Sequence, residues 1–429
     1  MRIVSFKDED FAQFCRTMNR RAVPDAAVAE AVAGIVRQVR ERGDAAVLEL
    51  TERFDGVRLE GTLLQGEPPR PQRALATALK MARRNVADFA RRTVPKNWSA
   101  KNAQGAVVGE RFLPFDRVGI YVPGGSAPLI STAIMTVTLA SVARCREIVV
   151  ATPPPVHAAL HYAIRLAGAT EIHQMGGAQA VAALALGTQS IRPVEKIFGP
   201  GNRFVTEAKR QLVGAVAIDQ LPGPSEVLVL ADETADAACV AADLLAQAEH
   251  GTDSQAVLLT PRKAVRDAVE KHIRAQLGSL ARRDILERSL AAGCVLVHTR
   301  DMQQAVELAN AYAAEHVSLQ VRDAGKILPQ IRAAGAIFVG RFSPVAAGDF
   351  LAGPSHTLPT GGAAKSFSGL TVDQFFRRSS IIRYSEAALA KSRKAIREIA
   401  LAEQLDAHAN SVDARFVGEP VKIGRKSLR

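Results

Sequence analysis

What most constrains this chain is a rhythm that begins near residue 117 and persists for more than half its length. A short β-rich run, a turn and a helical run follow one another repeatedly. "VGIYV" leads through a glycine-rich turn to "ISTAIMTVTLASVA", "EIVVATPPP" to "VHAALHYAIRLAG", "EIHQM" to "GGAQAVAALALG", and "KIFGPGN" to "RFVTEAKRQLV". After "LPGPSEVLVLAD" the alternation resumes with a helical run reaching His250, then "QAVLLT", "CVLVHT", "HVSLQV" and "AIFVG" between further helices. Parallel strands need long crossovers, usually helical, so this pattern predicts an α/β fold with two parallel-sheet modules. The segment before it, "DAAVAEAVAGIVRQVRERGDAAVLELTERF" and "PQRALATALKMARRNVADFARRT", has helical periodicity throughout, as does "EAALAKSRKAIREIALAEQL" near the end.

Composition narrows the class. The 429 residues suffice for more than one domain and a large core. Aromatic residues are scarce at 5% while alanine and valine are abundant, so the core is expected to be built from small aliphatic side chains. No run approaches the roughly 20 apolar residues of a membrane span. The first residues carry charges where a signal peptide would be apolar, and the widely spaced Cys15, Cys145, Cys239 and Cys294 form no C-x-x-C pair, which predicts reduced thiols in a cytoplasmic protein. The net charge of +12 raises the question of nucleic acid. The basic residues are spread along the chain and no nucleic-acid motif accompanies them. Solvated faces and attraction for a small anion explain the charge more simply, and neither a nucleic-acid nor a membrane partner is expected.

Parallel sheets bind ligands beyond the carboxyl ends of their strands, so chemistry is expected in the turns there. Several are glycine-rich: "PGGS" at 123 to 126, "GGAQ" at 176 to 179, "GPGN" at 199 to 202 and "PGPS" at 222 to 225. Glycine permits close approach of the backbone to a ligand, although for any single turn the need to reverse direction is explanation enough. Neither G-x-G-x-x-G nor a P-loop occurs.

The polar residues cluster at the ends of elements. In "DLLAQAEHGTDSQ", Gln247 and His250 are three apart and share a helical face, with Gly251 placed to stop the helix. This is either a solvated helix end or a pair of metal ligands at a cleft. In "AAEHVSL", Glu315 and His316 precede a strand, as a solvated loop pair or as an acid–base pair. His356 lies seven residues after Asp349, and His408 five after Glu403. Spacing does not assign these distant residues to one site.

Taken together, "GIYVPGGSAPLISTAIM", "IFGPGNRFVTEAKRQ", "LPGPSEVLVLAD", "LLAQAEHGTDSQAVLLT", "NAYAAEHVSLQ" and "GDFLAGPSHTLPTGGAA" resemble the histidinol dehydrogenase family, from roughly residue 20 to 415. The resemblance implies a zinc enzyme that takes L-histidinol through L-histidinaldehyde to L-histidine while reducing two NAD molecules, the last step of histidine biosynthesis. It implies Gln247, His250, Asp349 and His408 as ligands of one zinc ion per subunit, and Glu315 and His316 as the catalytic acid–base pair. Ser225, His356 and Glu403 would join the zinc ligands and His316 in holding substrate. Tyr121, Gln179 and Asn202 would contact NAD. The implied architecture is two incomplete Rossmann-like domains with small helical terminal extensions. The expected boundaries are an N-terminal extension at 1–20, a larger domain from 21–120 and 225–370 with the zinc and catalytic residues, a second domain at 121–224 with the NAD contacts, and a C-terminal helical extension at 371–429. That extension would be exchanged in a homodimer, so that Glu403 and His408 complete the partner's site.

The family usually has tyrosine after the ligand aspartate where this chain has Phe350, which bears on the orientation of that ligand. Two other functions compete. A related dehydrogenase for a sulfonated diol would want cations where His356 and Glu403 stand. A non-catalytic zinc or nucleic-acid binding protein would leave "AAEH" and the GPGN turn without a purpose.

Overall fold

The computed structural model describes residues 1–18, 25–124 and 128–416. Residues 125–126 of the first glycine-rich turn, and the basic tail from 417, lie outside the described residues.

The chain opens with β1 (Arg2–Ser5), α1 (Phe11–Thr17), α2 (Ala26–Arg42), α3 (Asp44–Asp55) and α4 (Arg73–Arg91), followed by β2 (Trp98–Lys101) and β3 (Val107–Pro114). The first alternating set is β4 (Arg117–Tyr121), α5 (Ile130–Ala143), β5 (Glu147–Thr152), α6 (Ala158–Ala167), β6 (Glu171–Gln174), α7 (Gly177–Leu186), β7 (Lys196–Phe198), α8 (Arg203–Leu212) and β8 (Ala217–Ile218). The second begins with β9 (Glu226–Ala231), α9 (Ala237–Ala248), β10 (Gln255–Thr260), α10 (Lys263–Leu277), α11 (Arg283–Gly293) and β11 (Cys294–His298). It continues through α12 (Met302–Tyr312), β12 (His316–Gln320), α13 (Ala324–Ile327), β13 (Ala336–Val339) and α14 (Val345–Phe350). Last come β14 (Phe376–Arg383), α15 (Glu386–Ala402) and α16 (Asp406–Asp413).

These elements fall into two units, one of Met1–Val94 with Pro114–Phe375 and one of Pro95–Leu113 with Phe376–Arg429. The first holds both parallel sheets. One is ordered β6-β5-β4-β7-β8 and the other β1-β11-β10-β9-β12-β13. Numbered from its first strand, each alternating set thus runs 3-2-1-4-5, the doubly wound order. Strands such as "EVLVLA" are buried along their whole length, as parallel strands covered on both faces must be. Helix α7, "GAQAVAALAL", is nearly all apolar and buried, and packs against α2 and α8.

Helix α9 shows how local sequence sets up the site. Asp236 caps it, accepting from Ala238 N at 3.0 Å and Cys239 N at 3.3 Å. Val240, Ala241, Leu244, Leu245 and Ala248 face the core of the larger sheet. Fully burying one leucine there contributes about 1.5–3 kcal/mol. Gln247 is on the buried face too. The helix stops at Ala248 with Glu249 as a right-handed C-cap, and Gly251 is not left-handed. The expected glycine stop is therefore not what ends it.

The expected boundaries need three corrections. Residues 1–20 are not a mere extension, because Arg2–Ser5 pair in parallel with Val295–His298 and close one edge of the six-stranded sheet. Helices α2 and α3 do not join residues 225–370. Val28, Val32, Val36, Val47 and Leu50 share a core with Val181, Leu184 and Val205 beside the five-stranded sheet. The C-terminal segment is not wholly helical either, since β14 joins β3 and β2 in a small sheet within the second unit. There Trp98 pairs with Glu110 across an antiparallel ladder, and α15 is tied to α16 by Arg393 Nε donating to Asp413 Oδ1 at 2.7 Å. Among the described residues no helix is long and apolar enough to cross a membrane.

Candidate active site

The acid–base candidates meet at the amino ends of β9 and β12, the two strands that flank the topological switch of the larger sheet. This is the opposite end from the one the carboxyl-end rule predicts. Glu226 opens β9 and His316 opens β12, with Glu315 in the residue before. The Glu226 backbone serves both: its N–H donates to Glu315 Oε2 at 2.9 Å, and its carbonyl accepts from His316 Nδ1 at 2.9 Å. A carbonyl can only accept, so Nδ1 keeps its proton and Nε2 is the nitrogen at which the ring gains or loses its second one. Nε2 lies 3.5 Å from Asp349 Oδ1. Glu315 and His316 are only 7% and 4% exposed. The two therefore act on each other in a medium of low polarity.

Burial pushes the Glu315 carboxyl up to about 7, opposed by the nearby His316 and by the Glu226 N–H. Burial pulls His316 the other way, but the Glu315 charge and Asp349 prevail and raise it to about 9. Asp349, against the effect of its own burial, is held below the usual carboxylate range by His316, with His356 and His250 adding to the effect. Burial lowers both His250 and His356, against the attraction of Asp349. This mutual influence shows that the five side chains belong to one electrostatic cluster.

His356 is locked in place. Its Nδ1 donates to the Asp349 carbonyl at 2.9 Å, and its Nε2 accepts from the Thr132 hydroxyl of α5 at 2.9 Å. It thereby ties α14 to the other half of the unit. Phe350 beside Asp349 is 60% exposed.

Gln247 is 2% exposed, yet neither its Oε1 nor its Nε2 has a hydrogen-bond partner among the described residues. Leaving a buried amide unsatisfied costs about 1–3 kcal/mol. The α9 that carries it packs against α14, which carries Asp349, and the N–H of His250 donates to the Gln247 carbonyl at 3.3 Å. An unsatisfied amide oxygen, an imidazole and a carboxylate suit a cation such as zinc. Among the described residues no group of three or more His, Cys, Asp or Glu is disposed to hold a metal. Of the expected ligands of those types, this unit supplies only His250 and Asp349, because His408 is in α16 of the second unit, as Glu403 is at the C-cap of α15.

The three residues expected to meet a dinucleotide lie at the carboxyl ends of the smaller sheet, as the rule predicts. Tyr121 ends β4, Gln179 lies in the first turn of α7 after β6, and Asn202 caps α8 after β7. Tyr121 and Asn202 flank that sheet's switch point between β4 and β7. The Tyr121 hydroxyl accepts from Gly177 N at 3.1 Å, and burial pushes its pKa up to about 12. Asn202 Oδ1 accepts from Phe204 N and Val205 N. The GPGN turn is clamped by a fully buried ion pair between Lys209 and Asp219. Lys209 Nζ donates to the Gly199 carbonyl at 3.0 Å, and Asp219 Oδ2 accepts from Gly199 N at 2.7 Å. Gly199 has φ +108°, and a Cβ there would come within 2.1 Å of the Tyr121 carbonyl. Only glycine fits.

Ser225, half-buried, ends the PGPS turn just before Glu226, and its carbonyl accepts from Gln255 N at 2.9 Å. Sequence reasoning missed Glu226, Thr132, Lys209 and Asp219. Glu226 lies inside the quoted "LPGPSEVLVLAD" but acts through its backbone, which leaves no side-chain signal.

Compared with known proteins, the family model for histidinol dehydrogenase matches residues 18–416. Histidinol dehydrogenase of Geobacillus kaustophilus is 43% identical over 395 residues, covering 90% of this chain and 93% of that protein. The histidinol dehydrogenase of a Synechococcus is 42% identical, covering 97% of this chain and 98% of that one. The crystal structure of histidinol dehydrogenase from Elizabethkingia anophelis superposes with a TM-score of 0.91 at 33% identity, over 97% of this chain and 98% of that one. An acetylating aldehyde dehydrogenase from Geobacillus thermoglucosidasius, 15% identical with a TM-score of 0.51 over 89% of this chain and 98% of that one, shares the fold alone.

Proposed function

The chain belongs to the histidinol dehydrogenase family, and from that premise we propose that it oxidises L-histidinol to L-histidine by way of L-histidinaldehyde, reducing two NAD molecules in turn. In the first oxidation the hydroxyl proton goes to a base and hydride leaves the carbinol carbon for NAD. Water then adds to the aldehyde, and the resulting gem-diol gives up a second hydride to a second NAD, leaving the carboxylic acid.

The observation that carries this reading is the buried pair Glu315 and His316, two proton carriers of different affinity oriented by one backbone unit. His316, with Nδ1 committed to the Glu226 carbonyl, would exchange its second proton at Nε2 with the substrate hydroxyl, and offsetting the Asp349 charge favours the form in which Nε2 accepts. Glu315, with its carboxyl at about 7, suits removal of a proton from the attacking water near neutral pH. Both stand where solvent has little access, which protects the aldehyde between steps.

Gln247, His250 and Asp349 would hold zinc together with His408 supplied by a second copy of the chain. Held there, the ion would act as a Lewis acid toward the nitrogen and oxygen donors of histidinol and offset the Asp349 charge. The unsatisfied Gln247 amide supports this assignment. Ser225, His356 and Glu403 would orient the substrate, His356 by exchanging its Thr132 partner. Tyr121, Gln179 and Asn202 would hold NAD at the carboxyl side of the smaller sheet.

The test is purified, zinc-loaded protein with L-histidinol, followed by NADH absorbance and by histidine analysis. Two NADH per histidine are expected, and a comparison with sulfonated diols checks the substrate class. His316→Ala should abolish the first oxidation. Glu315→Ala should slow the aldehyde step most, measured by supplying L-histidinaldehyde directly. Equal losses in both steps for both variants refute this division of labour.

A further inference from the structure

Doubly wound folds hold the ribose of a dinucleotide with a carboxylate that lies shortly past the second strand. In the smaller sheet that strand is β5, and it ends in Thr152 followed by the prolines 153–155. The usual acid is absent from this position.

A carboxylate reaches the same place from another element. Asp55 is the last residue of α3. A Cβ built on Gly176, in the turn after β6, would lie 2.8 Å from Pro153 Cγ and 3.2 Å from Asp55 Oδ1. The end of β5, the turn before α7 and the Asp55 carboxylate therefore converge. Tyr121 is near enough to feel the Asp55 charge. Since the Tyr121 oxygen already accepts from Gly177 N, its own proton is free to be donated. Gln179 nearby is 1% exposed, with neither amide atom partnered among the described residues.

Asp55 does not look like a stabilising residue. Its Oδ2 is buried and has no hydrogen-bond partner among the described residues. Burial raises its carboxyl pKa. A half-buried carboxylate with one enclosed, unpartnered oxygen beside a glycine turn is arranged to accept a hydrogen bond from a ligand.

Resting on the NAD reading above, we propose that Asp55 accepts the hydroxyls of the cofactor's adenosine ribose, standing in for the missing second-strand acid, and thereby excludes NADP. A ribose 2′-hydroxyl satisfies the free oxygen. A 2′-phosphate at the same point would bring like charges together.

Asp55→Asn and Asp55→Ala test this, with steady-state kinetics for NAD and NADP at saturating histidinol. The KM for NAD should rise about tenfold and the KM for NADP should fall, with kcat on NAD unchanged. The preference for NAD, as a ratio of kcat/KM values, should narrow at least tenfold. Melting temperature should hold or rise, because a partly desolvated charge is removed. A preference ratio within twofold of wild type overturns the proposal. If the wild-type chain reduces neither nucleotide with histidinol, the dehydrogenase reading fails. Calorimetric titration with NAD and NADP alone then still decides Asp55: an unchanged affinity ratio in the variants, or no binding of either nucleotide to the wild type, overturns its role.

Discussion

Lys209→Met isolates the buried clamp on the GPGN turn. Methionine keeps the aliphatic stem of lysine and removes only the ammonium group. Lys209 and Asp219 have side chains 0% and 1% exposed, so no water can replace what is lost. Asp219 keeps two backbone donors, Gly199 N at 2.7 Å and Gln220 N at 2.6 Å, but loses its counter-ion. The Gly199 carbonyl loses its donor as well. Removing one partner of a buried pair costs about 3–5 kcal/mol, because the other charge is stranded. A cooperative chain of this size has an unfolding entropy of about 0.9 kcal/mol/K at roughly 2.1 cal/mol/K per residue. The expected fall in melting temperature by scanning calorimetry is therefore about 3–6 °C. Adding Asp219→Asn removes the stranded charge and keeps an acceptor for Gly199 N, so the double variant should regain most of that loss. It should still bind NAD more weakly than wild type, since the turn that carries Asn202 remains unclamped. A single variant that melts within 1 °C of wild type would falsify the stranded-charge reasoning.

Other outcomes follow from the same geometry. Arg117 makes a two-pronged pair with Glu171, Nη1 to Oε1 and Nη2 to Oε2 both at 2.7 Å, and this hydrogen bonding holds the Glu171 carboxyl down to about 2. Between pH 4.5 and 2 the unfolded chain takes up a proton at this position that the folded chain does not, so the pair's stabilisation is complete above that window and vanishes as pH falls through it. The shift corresponds to about 3 kcal/mol at most, and solvent contact reduces this to about 1–2. Denaturant midpoints measured from pH 5 to 3 should fall more steeply for wild type than for Glu171→Gln, and parallel curves would count against the assignment. Subunit exchange tests the proposed shared site: inactive His316→Ala and inactive His408→Ala, mixed and allowed to re-associate, should recover up to about a quarter of wild-type activity, as random pairing leaves one intact site in half of the dimers. No recovery, with mixed dimers demonstrated by mass, would place His408 in its own chain's site.

Much of this was open to reading from the residues alone. The alternation of short apolar runs with helices determined two parallel sheets, because crossover connection and two-sided burial each leave a local trace. The caps at Asp236 and Asn202 are local too, and the ordered motifs from "GIYVPGG" to "GDFLAGPSH" identified the family. What the residues could not announce is convergence. Glu226 and Glu315 are 89 positions apart and meet only because β9 and β12 are neighbours in register. The same pairing puts the proposed acid–base pair at the amino ends of its strands, where the general rule for parallel sheets does not look. Asp55 is carried to the end of β5 by the packing of α3, and Gln247 becomes unsatisfied only when α9 is buried. Periodicity reports which face of an element avoids water. Which faces then meet is decided by packing over distances along the chain to which periodicity is blind.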